Sequence, residues 1–221
     1  MDARKINAAL GALQYVKSGM CIGLGSGSTA AQFIKLLAEK VKKEKLTICC
    51  VTTSLDSRAL AVENGLWVTE PDAITEIDLA VDGADKVTDN ALLKGGGGAL
   101  TREKIVDYNA KKFIVIADER KVQKTLEGIV SLEVLPFAAP MVLKRLSVYK
   151  PKVRAAEKKL GPVISDNGCF IVDLESMKIE NPVRMEQELN SIPGVIENGI
   201  FTKFDEIIVG TENGWKRITR K

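Results

Sequence analysis

The segment Met20-Cys21-Ile22-Gly23-Leu24-Gly25-Ser26-Gly27-Ser28-Thr29-Ala30 decides the fold class of this chain. Its first five residues form a mainly apolar run that suits a buried strand, and the residues after Ser28 have the spacing of an amphipathic helix. A strand that passes through a glycine-rich turn into a helix is the first half of a βαβ unit. Such a unit predicts further strands and helices in alternation along the chain.

The alternation continues to about residue 125, after a first helix whose apolar residues begin at Ile6. The strand-like runs and the helical stretches between them are, in chain order, residues 20–24, 28–42, 47–51, 55–64, 77–81, 101–109 and 112–117. Continuous apolar strands separated by helices are typical of a sheet that is covered on both faces. The sequence therefore predicts an α/β fold with a Rossmann-like, mostly parallel sheet.

A second, smaller α+β domain is predicted from residue 129 onward. Its signals are an alternating strand at 130–134, a helical stretch at 141–146, a hairpin at 163–172 through Asp166-Asn167-Gly168, and a helix that begins at Asn181-Pro182. The apolar run 206–210 again suits a strand buried on both faces. We expect residues 1–128 plus 203–221 to form the catalytic α/β domain, and residues 129–202 to form the small domain, which serves oligomerisation.

The absence of histidine from the 221 residues restricts the possible chemistry more than any other count. Without histidine the chain cannot contain a Ser-His-Asp or Cys-His nucleophile, a histidine metal ligand or an imidazole switch. Acid and base chemistry must therefore come from carboxylates, Lys, Tyr or Cys.

Charge and cysteine usage indicate a cytoplasmic protein. The 32 basic and 29 acidic residues leave a formal net charge of +3 and are interspersed, so no general nucleic-acid surface is expected. No run has the length of a membrane span or the pattern of a signal peptide, so no membrane partner is expected either. Four cysteines lie in apolar runs without a C-x-x-C pair, as reduced thiols do, which argues against disulfides and zinc: Cys21, Cys49, Cys50 and Cys169.

The first candidate site is the glycine-rich turn of residues 23–30. Free N–H groups at a helix start, together with Ser and Thr hydroxyls, form an anion site. The turn does not fit the dinucleotide fingerprint, because Ser28 stands where the third glycine belongs, and it lacks the Gly-Lys-Ser/Thr of a P-loop. From this motif alone, a plain strand-to-helix turn with a serine cap is an equally good interpretation.

The second candidate is Asp82-Gly83-Ala84-Asp85, directly after the strand at 77–81. The carboxyl ends of parallel strands line the ligand crevice of an open sheet, and two neighbouring carboxylates suit acid and base work. Two other interpretations stay open for this motif alone, a solvated turn and a Mg²⁺ pair.

The third candidate is the run of four glycines that follows Lys94, residues 95–98. Successive glycines are entropically costly, and a flexible linker has no purpose between a strand and a helix of one domain. A backbone that passes close to a ligand and offers N–H donors to an oxyanion explains the run better. Lys94 adds a cation, and Glu103 lies near the start of the next helix, where a solvated acid is the usual alternative.

A weaker candidate is Ala117-Asp118-Glu119-Arg120-Lys121, at the end of the strand at 112–117. Lys121 can bind an anionic group at that sheet edge, although such a charged run is more often solvated surface.

Taken together, these motifs resemble those of the ribose-5-phosphate isomerases of the A type. The matching stretches are residues 23–30, 82–85, 93–97, 100–104, 117–118, 134–138, 166–168 and 192–201, in the family's order over nearly the whole chain. The Asp-Gly-Ala-Asp motif combined with Lys-Gly-Gly-Gly is highly specific. Two departures are Ser26, where the family commonly has Thr, and Lys86, where an acid is common.

The resemblance implies an isomerase of the non-oxidative pentose phosphate pathway that interconverts ribose 5-phosphate and ribulose 5-phosphate. It implies a homodimer or homotetramer that uses no cofactor and no metal, with Glu103 as the base that moves a proton between C1 and C2 through an enediolate. Catalytic roles would also fall to Asp82, Asp85 and Lys94. Substrate contacts would come from Ser26, Gly27, Ser28, Thr29, Asp82, Gly83, Ala84, Asp85, Lys94, Gly95, Gly96, Gly97 and Lys121.

Two other classes of protein fit parts of the pattern. A sugar-phosphate-sensing domain would bind the same ligand without turnover, but it would not need a base at Glu103. A Mg²⁺-dependent phosphohydrolase would use Asp82 and Asp85 as ligands and would lose activity with a chelator. The motifs also leave open whether residues 26–29 hold the phosphate or the sugar hydroxyls.

Overall fold

A computed structural model describes residues 2–158 and 160–219, with no side-chain description for Thr219. The helices are α1 Ala3–Ala12, α2 Ser28–Glu44, α3 Leu55–Glu63, α4 Leu100–Asn109, α5 Ala139–Arg145 and α6 Pro182–Asn190. The strands are β1 Cys21–Leu24, β2 Cys49–Thr52, β3 Leu79–Gly83, β4 Lys86–Val87, β5 Leu92–Leu93, β6 Phe113–Asp118, β7 Glu127–Val134, β8 Lys152–Val153, β9 Phe170–Lys178, β10 Val195–Asn198, β11 Ile200–Phe201, β12 Glu206–Thr211 and β13 Gly214–Thr219.

The chain forms two compact units. The first consists of residues 1–84, 102–122 and 203–221, and the second of residues 85–101 and 123–202. The tetraglycine run thus belongs to the second unit, whereas the sequence assigns it to the first. The reason is local pairing, since the short strands β4 and β5 join β11 in a three-stranded antiparallel sheet of the second unit.

The first unit is the predicted α/β structure. Its sheet has the strand order β13-β12-β6-β3-β1-β2, and all pairs except β12–β13 are parallel. Alternate strand residues face opposite sides, so Ile22 and Leu24 pack with α1 and α2 while Cys21 packs with Val106 of α4. Apolar side chains therefore cover both faces, as continuous apolar strands require.

The return of the chain to this sheet is confirmed by β12. This strand lies between β6 and β13, and its central residues Ile207, Ile208 and Val209 are fully buried. An isoleucine-valine run of this kind cannot leave one face in water without a large loss of buried apolar area.

The second unit contains a four-stranded antiparallel sheet with the order β10-β7-β9-β8, and its core packs α5 and α6 on that sheet. The predicted start of α6 at Asn181-Pro182 is confirmed, and the Asn181 side chain caps the helix by accepting a hydrogen bond from Arg184 N at 3.0 Å. The turn at Asp166-Asn167-Gly168 forms too, but its first arm at 163–165 is only a bridge from Ile164 to Phe170. Ser165 N donates to Cys169 O across this turn at 2.8 Å, and the Ser165 hydroxyl donates to the buried Glu133 carboxylate at 2.5 Å.

None of the helices in the described part of the chain combines the length and the apolar character needed to cross a membrane.

Candidate active site

The glycine-rich turn after β1 is shaped by the carboxylate of Asp82. Asp82 is fully buried at the end of β3, and its Oδ1 accepts hydrogen bonds from Ser26 N at 3.1 Å and Gly83 N at 2.6 Å. A Cβ on Gly25 would lie 2.0 Å from that same oxygen, so only glycine fits there. The Asp82 carboxylate therefore holds the turn against the end of β3.

The start of α2 has the features of an anion site and lacks the serine cap that the alternative interpretation requires. The N-cap residue is Gly27, at φ 89°, and among the described residues no side chain makes a capping hydrogen bond there. The helix starts with Ser28, whose hydroxyl accepts a hydrogen bond from Lys5 Nζ at 2.9 Å. The buried Thr29 Oγ1 has no hydrogen-bond partner among the described residues. Uncapped N–H groups, a lysine and two hydroxyls all favour a negatively charged ligand.

Ser26 is held by other hydroxyls of the same unit. Its Oγ lies 2.8 Å from Thr53 Oγ1 and 2.7 Å from Ser54 Oγ, both on the turn after β2. Ser54 also caps α3 by accepting a hydrogen bond from Ser57 N. This hydroxyl cluster fixes the side of the turn that faces the next strand.

Glu103 lies in the first turn of α4 and is not the solvated acid that its position alone would suggest. Only 6% of the residue is exposed. Val106, one turn later, packs so closely on β1 that a Cβ on Gly23 would lie 2.6 Å from its Cγ1. Close packing of α4 on the sheet therefore brings the Glu103 carboxyl into the protein.

The charged run after β6 has two different parts. Lys121 donates a hydrogen bond from Nζ to the carbonyl of Ala84 at 2.5 Å, which ties it to the end of the Asp-Gly-Ala-Asp motif. Asp118 is buried, which alone would raise its pKa, but the hydrogen bond and charge of Arg120 outweigh burial and hold that pKa below its ordinary value. Lys121 therefore lies beside the Asp-Gly-Ala-Asp motif, and Asp118 has a structural ion pair.

The second unit carries the tetraglycine run and the other two candidate side chains. Asp85 is exposed and accepts a hydrogen bond from Gly96 N at 2.8 Å. Lys94 is 3% exposed, its Nζ lies 5.5 Å from the ring centroid of Phe201, and its backbone N donates to Gly199 O at 2.8 Å. Lys94 is therefore a buried cation that contacts an aromatic ring, and it is not a solvated surface lysine.

Two residues at these sites were not predicted from the sequence. One is Lys5, which has no motif around it and reaches Ser28 from α1. The other is Arg154, whose guanidinium donates hydrogen bonds to the carbonyls of Gly95 and Gly96 at 3.0 and 2.9 Å. Both contacts join segments far apart in sequence, and no spacing rule predicts such pairs.

Two cysteines of the first unit are buried. Burial raises the pKa of Cys21 and of Cys50 to about 12, so both thiols stay protonated near neutral pH. Within residues 2–158 and 160–219, no three Cys, Asp or Glu side chains are grouped as metal ligands would be.

Comparison with known proteins decides the family. Residues 49–214 match the family described as Ribose 5-phosphate isomerase A (phosphoriboisomerase A). This chain belongs to that family. Ribose-5-phosphate isomerase A of Methanococcus aeolicus is 48% identical over 93% of this chain and 90% of its own length.

Solved structures of the isomerase A family agree with the fold. The structure from Methanocaldococcus jannaschii has a TM-score of 0.93 at 43% identity and covers 97% of both chains. A second D-ribose-5-phosphate isomerase, solved with phospho-erythronic acid, also has a TM-score of 0.93, at 46% identity over 98% of this chain and 97% of that one. The α/β fold class and the family resemblance are therefore confirmed.

The candidate residues divide between the two units. The first contains Ser26, Gly27, Ser28, Thr29, Asp82, Gly83, Ala84, Glu103 and Lys121, and the second contains Asp85, Lys94, Gly95, Gly96 and Gly97. In the first unit, hydrogen bonds connect Ser26 with Asp82 and Lys121 with Ala84. In the second, one connects Asp85 with Gly96.

Proposed function

We propose that this chain interconverts D-ribose 5-phosphate and D-ribulose 5-phosphate through an enediolate, with no cofactor and no metal. The observation that carries the proposal is the buried carboxylate of Glu103 in a chain that has no histidine and belongs to the isomerase A family. A desolvated carboxylate is an effective base toward a carbon-bound proton. Phospho-erythronic acid, which one solved relative binds, carries a carboxylate that imitates the charge of an enediolate.

The proposed reaction moves one proton between two carbons. The Glu103 carboxylate takes the proton from C2 of the open-chain aldose, and the electron pair of that bond forms the C1–C2 double bond of an enediolate. Lys94 and the N–H groups of residues 95–97 stabilise the negative oxygen. Asp82 transfers the proton of the C2 hydroxyl to the C1 oxygen, so that the C2 oxygen becomes a carbonyl. Glu103, whose carboxyl proton exchanges with solvent, delivers a proton to C1.

The acid pair has its own part in this proposal. Asp82 moves protons at the sugar oxygens and assists opening of the furanose ring, and Asp85 binds the sugar. Gly83, Ala84 and Lys121 complete the contacts to the substrate.

We assign the phosphate to residues 26–29. The uncapped N–H groups of α2, the Ser28 hydroxyl and the ammonium of Lys5 supply donors of the kind that bind phosphate monoesters. Sugar hydroxyls would not require a lysine at this position.

We also propose that the protein is cytoplasmic and forms a homodimer or homotetramer. Large apolar side chains of the second unit are exposed, Phe137 at 84%, Val148 at 78% and Met141 at 60%. Exposed apolar groups of this size are typical of surfaces that associate.

The proposed function is tested by measuring ribulose 5-phosphate formation from ribose 5-phosphate in excess chelator. We expect full activity, equal to that of the same preparation without chelator. Release of inorganic phosphate in place of ketose, abolished by chelator and restored by Mg²⁺, would favour the phosphohydrolase class of chemistry. Binding of ribose 5-phosphate without any ketose formed would favour a sensing domain.

A further inference from the structure

Arg154, directly after β8, holds two consecutive carbonyl groups of the tetraglycine run. Its Nη1 donates hydrogen bonds to Gly95 O at 3.0 Å and to Gly96 O at 2.9 Å. The Arg154 backbone is itself fixed, because its N donates to Ile171 O and its O accepts from Val163 N, each at 2.8 Å. The guanidinium thus connects the run to the sheet of the second unit.

Fixing these carbonyls also fixes the direction of the neighbouring N–H groups. In a trans peptide the C=O and the next N–H point to opposite sides, so Gly95 O determines the direction of Gly96 N–H, and Gly96 O that of Gly97 N–H. Gly96 N–H meets the carboxylate of Asp85 at 2.8 Å. Among the described residues none accepts a hydrogen bond from Gly97 N–H, and Gly97 is exposed. Gly97 therefore presents an oriented, unused donor.

The remaining donors of Arg154 bind Asp173 and Ser131. The Asp173 carboxylate neutralises the guanidinium, and both residues orient it. Nε and Nη2 bind the two Asp173 carboxylate oxygens at 2.7 and 2.5 Å, and Nη2 also donates to Ser131 Oγ at 2.8 Å. Ser131 donates in turn to Asp173 Oδ1 at 2.9 Å. A guanidinium has five N–H donors, and all five of Arg154 have protein acceptors. Arg154 has no donor left for a substrate, so its effect must pass through the glycines.

The glycines themselves fit this arrangement. Gly95 has φ 104°, and a Cβ there would lie 2.8 Å from Ser131 Cβ. The close approach to β7 lets one planar fork reach two carbonyls and a carboxylate together. A lysine ammonium is a point charge and cannot make this set of contacts.

We propose that Arg154, neutralised by Asp173, is a positioning residue that orients the peptide planes of residues 95–97, so that Gly97 N–H meets negative charge formed during the reaction. The proposal rests on the proposed isomerase function. It assigns to Arg154 an effect on turnover and none on the binding of the phosphate group.

The test compares Arg154→Ala and Arg154→Lys with Arg184→Ala, which removes an exposed arginine of the same unit that pairs with Glu188. Loss of one oriented oxyanion donor reduces turnover by about 10²-fold. We expect kcat of Arg154→Ala to fall by about that factor, with KM for ribose 5-phosphate and inhibition by inorganic phosphate both within about threefold of wild type. Arg154→Lys should be impaired as well, and Arg184→Ala should match wild type.

Chemical rescue separates positioning from a general loss of structure. A cavity of about 510 Å³ is lined by Arg154, Ser131 and Asp173, which gives a small cation access to the vacated place. Ethylguanidinium should restore part of the kcat of Arg154→Ala, and ethylammonium at equal concentration should not. If Arg154→Ala does not fold, Arg154→Lys with its kcat and KM carries the test.

Three results would overturn the proposal while wild type remains active. These are an unchanged kcat in a folded Arg154 variant, a rise in KM and in the phosphate inhibition constant that accounts for the whole loss, and equal rescue by both cations. An inactive wild-type protein would instead refute the proposed function.

Discussion

Burial separates Glu103 and Lys94 of the candidate site from ordinary surface charges. Glu103 and Lys94 are 6% and 3% exposed, although an acid in a first helical turn and a lysine beside glycines are usually solvated. Sequence alone supplies residue type and spacing, which left both solvated alternatives open. The deciding fact is the packing around each side chain, and that depends on residues distant in sequence.

At the level of single residues, Lys5 provides a test of where the phosphate binds. Lys5→Ala removes the ammonium that bonds Ser28, and loss of a charge-assisted hydrogen bond costs about 1.5 to 3 kcal/mol when the bond is fully formed. We expect inhibition by inorganic phosphate and the affinity for ribose 5-phosphate to weaken together, by about tenfold or more. Lys35→Ala, an equal charge change on the exposed side of α2, is the control. Weaker ribose 5-phosphate binding with unchanged phosphate inhibition would assign residues 26–29 to the sugar.

At the scale of elements, apolar periodicity predicted most strands and helices of the first unit to within two residues. The predicted helix at 28–42 is α2, Ser28–Glu44, and the predicted strand at 112–117 is β6, Phe113–Asp118. Periodicity works here because the central strands β1, β3, β6 and β12 are buried on both faces and the helices on one. It gave no sign of β4, and the strand expected before the glycine run is only the two-residue β5. Both are too short to have a period, and β5 forms by pairing with β4 and with β11.

The turn after β1 makes a prediction about stability at this scale. Gly25→Ala would place a Cβ 2.0 Å from Asp82 Oδ1 and 2.6 Å from the Asp82 backbone, so the sheet end must shift. We expect the free energy of unfolding to fall by about 1 to 3 kcal/mol, as overpacking usually causes. Gly97→Ala is the matched control, since a Cβ there meets nothing within 4 Å. Denaturant titration measures both, and equal stability of the two variants would contradict the account of the turn.

For the molecule as a whole, the sequence predicted the α/β class, the smaller second region and the return of the chain through residues 206–210. It could not predict which unit holds residues 85–101, because that depends on the pairing of β5 with β11. For the same reason it missed the contacts of Lys5 with Ser28 and of Arg154 with Gly96, which join residues 23 and 58 positions apart. Motif spacing indicated the candidate site residues that lie at strand ends. The other contacts depend on tertiary packing, which motif spacing does not predict.

The pH dependence of stability tests the contacts of Glu206, a β12 residue that binds Tyr15 and Lys112 of the first unit. Burial alone would raise the pKa of Glu206, but hydrogen bonds from Tyr15 and Lys112 outweigh it and hold that pKa below its ordinary value of 4.5. A lowered folded-state pKa stabilises the fold above pH 4.5, and the contribution is lost as pH falls through the folded-state value. Glu206→Gln should therefore lower the melting temperature at about pH 7 and approach wild type at about pH 3.

A matched control for that variant is Glu44→Gln, which removes an exposed carboxylate paired with Lys40 on α2. Exposed pairs of this kind contribute little, so its melting temperature should stay near wild type at both pH values. A loss in Glu206→Gln that is equally large at both pH values would show that the effect is not the charge of the carboxylate.

The most direct test of the account is the fate of the carbon-bound proton in D₂O, followed by proton NMR for wild type and Glu103→Gln. An enediolate formed by a carboxylate base predicts that wild type makes ribulose 5-phosphate with deuterium at C1. Glu103→Gln should lose isomerisation and deuterium incorporation together, by about 10²- to 10⁴-fold, because an amide cannot accept the proton. Its affinity for ribose 5-phosphate should stay close to that of wild type. Isomerisation by Glu103→Gln within a few-fold of wild type would contradict the assignment of Glu103 as the base.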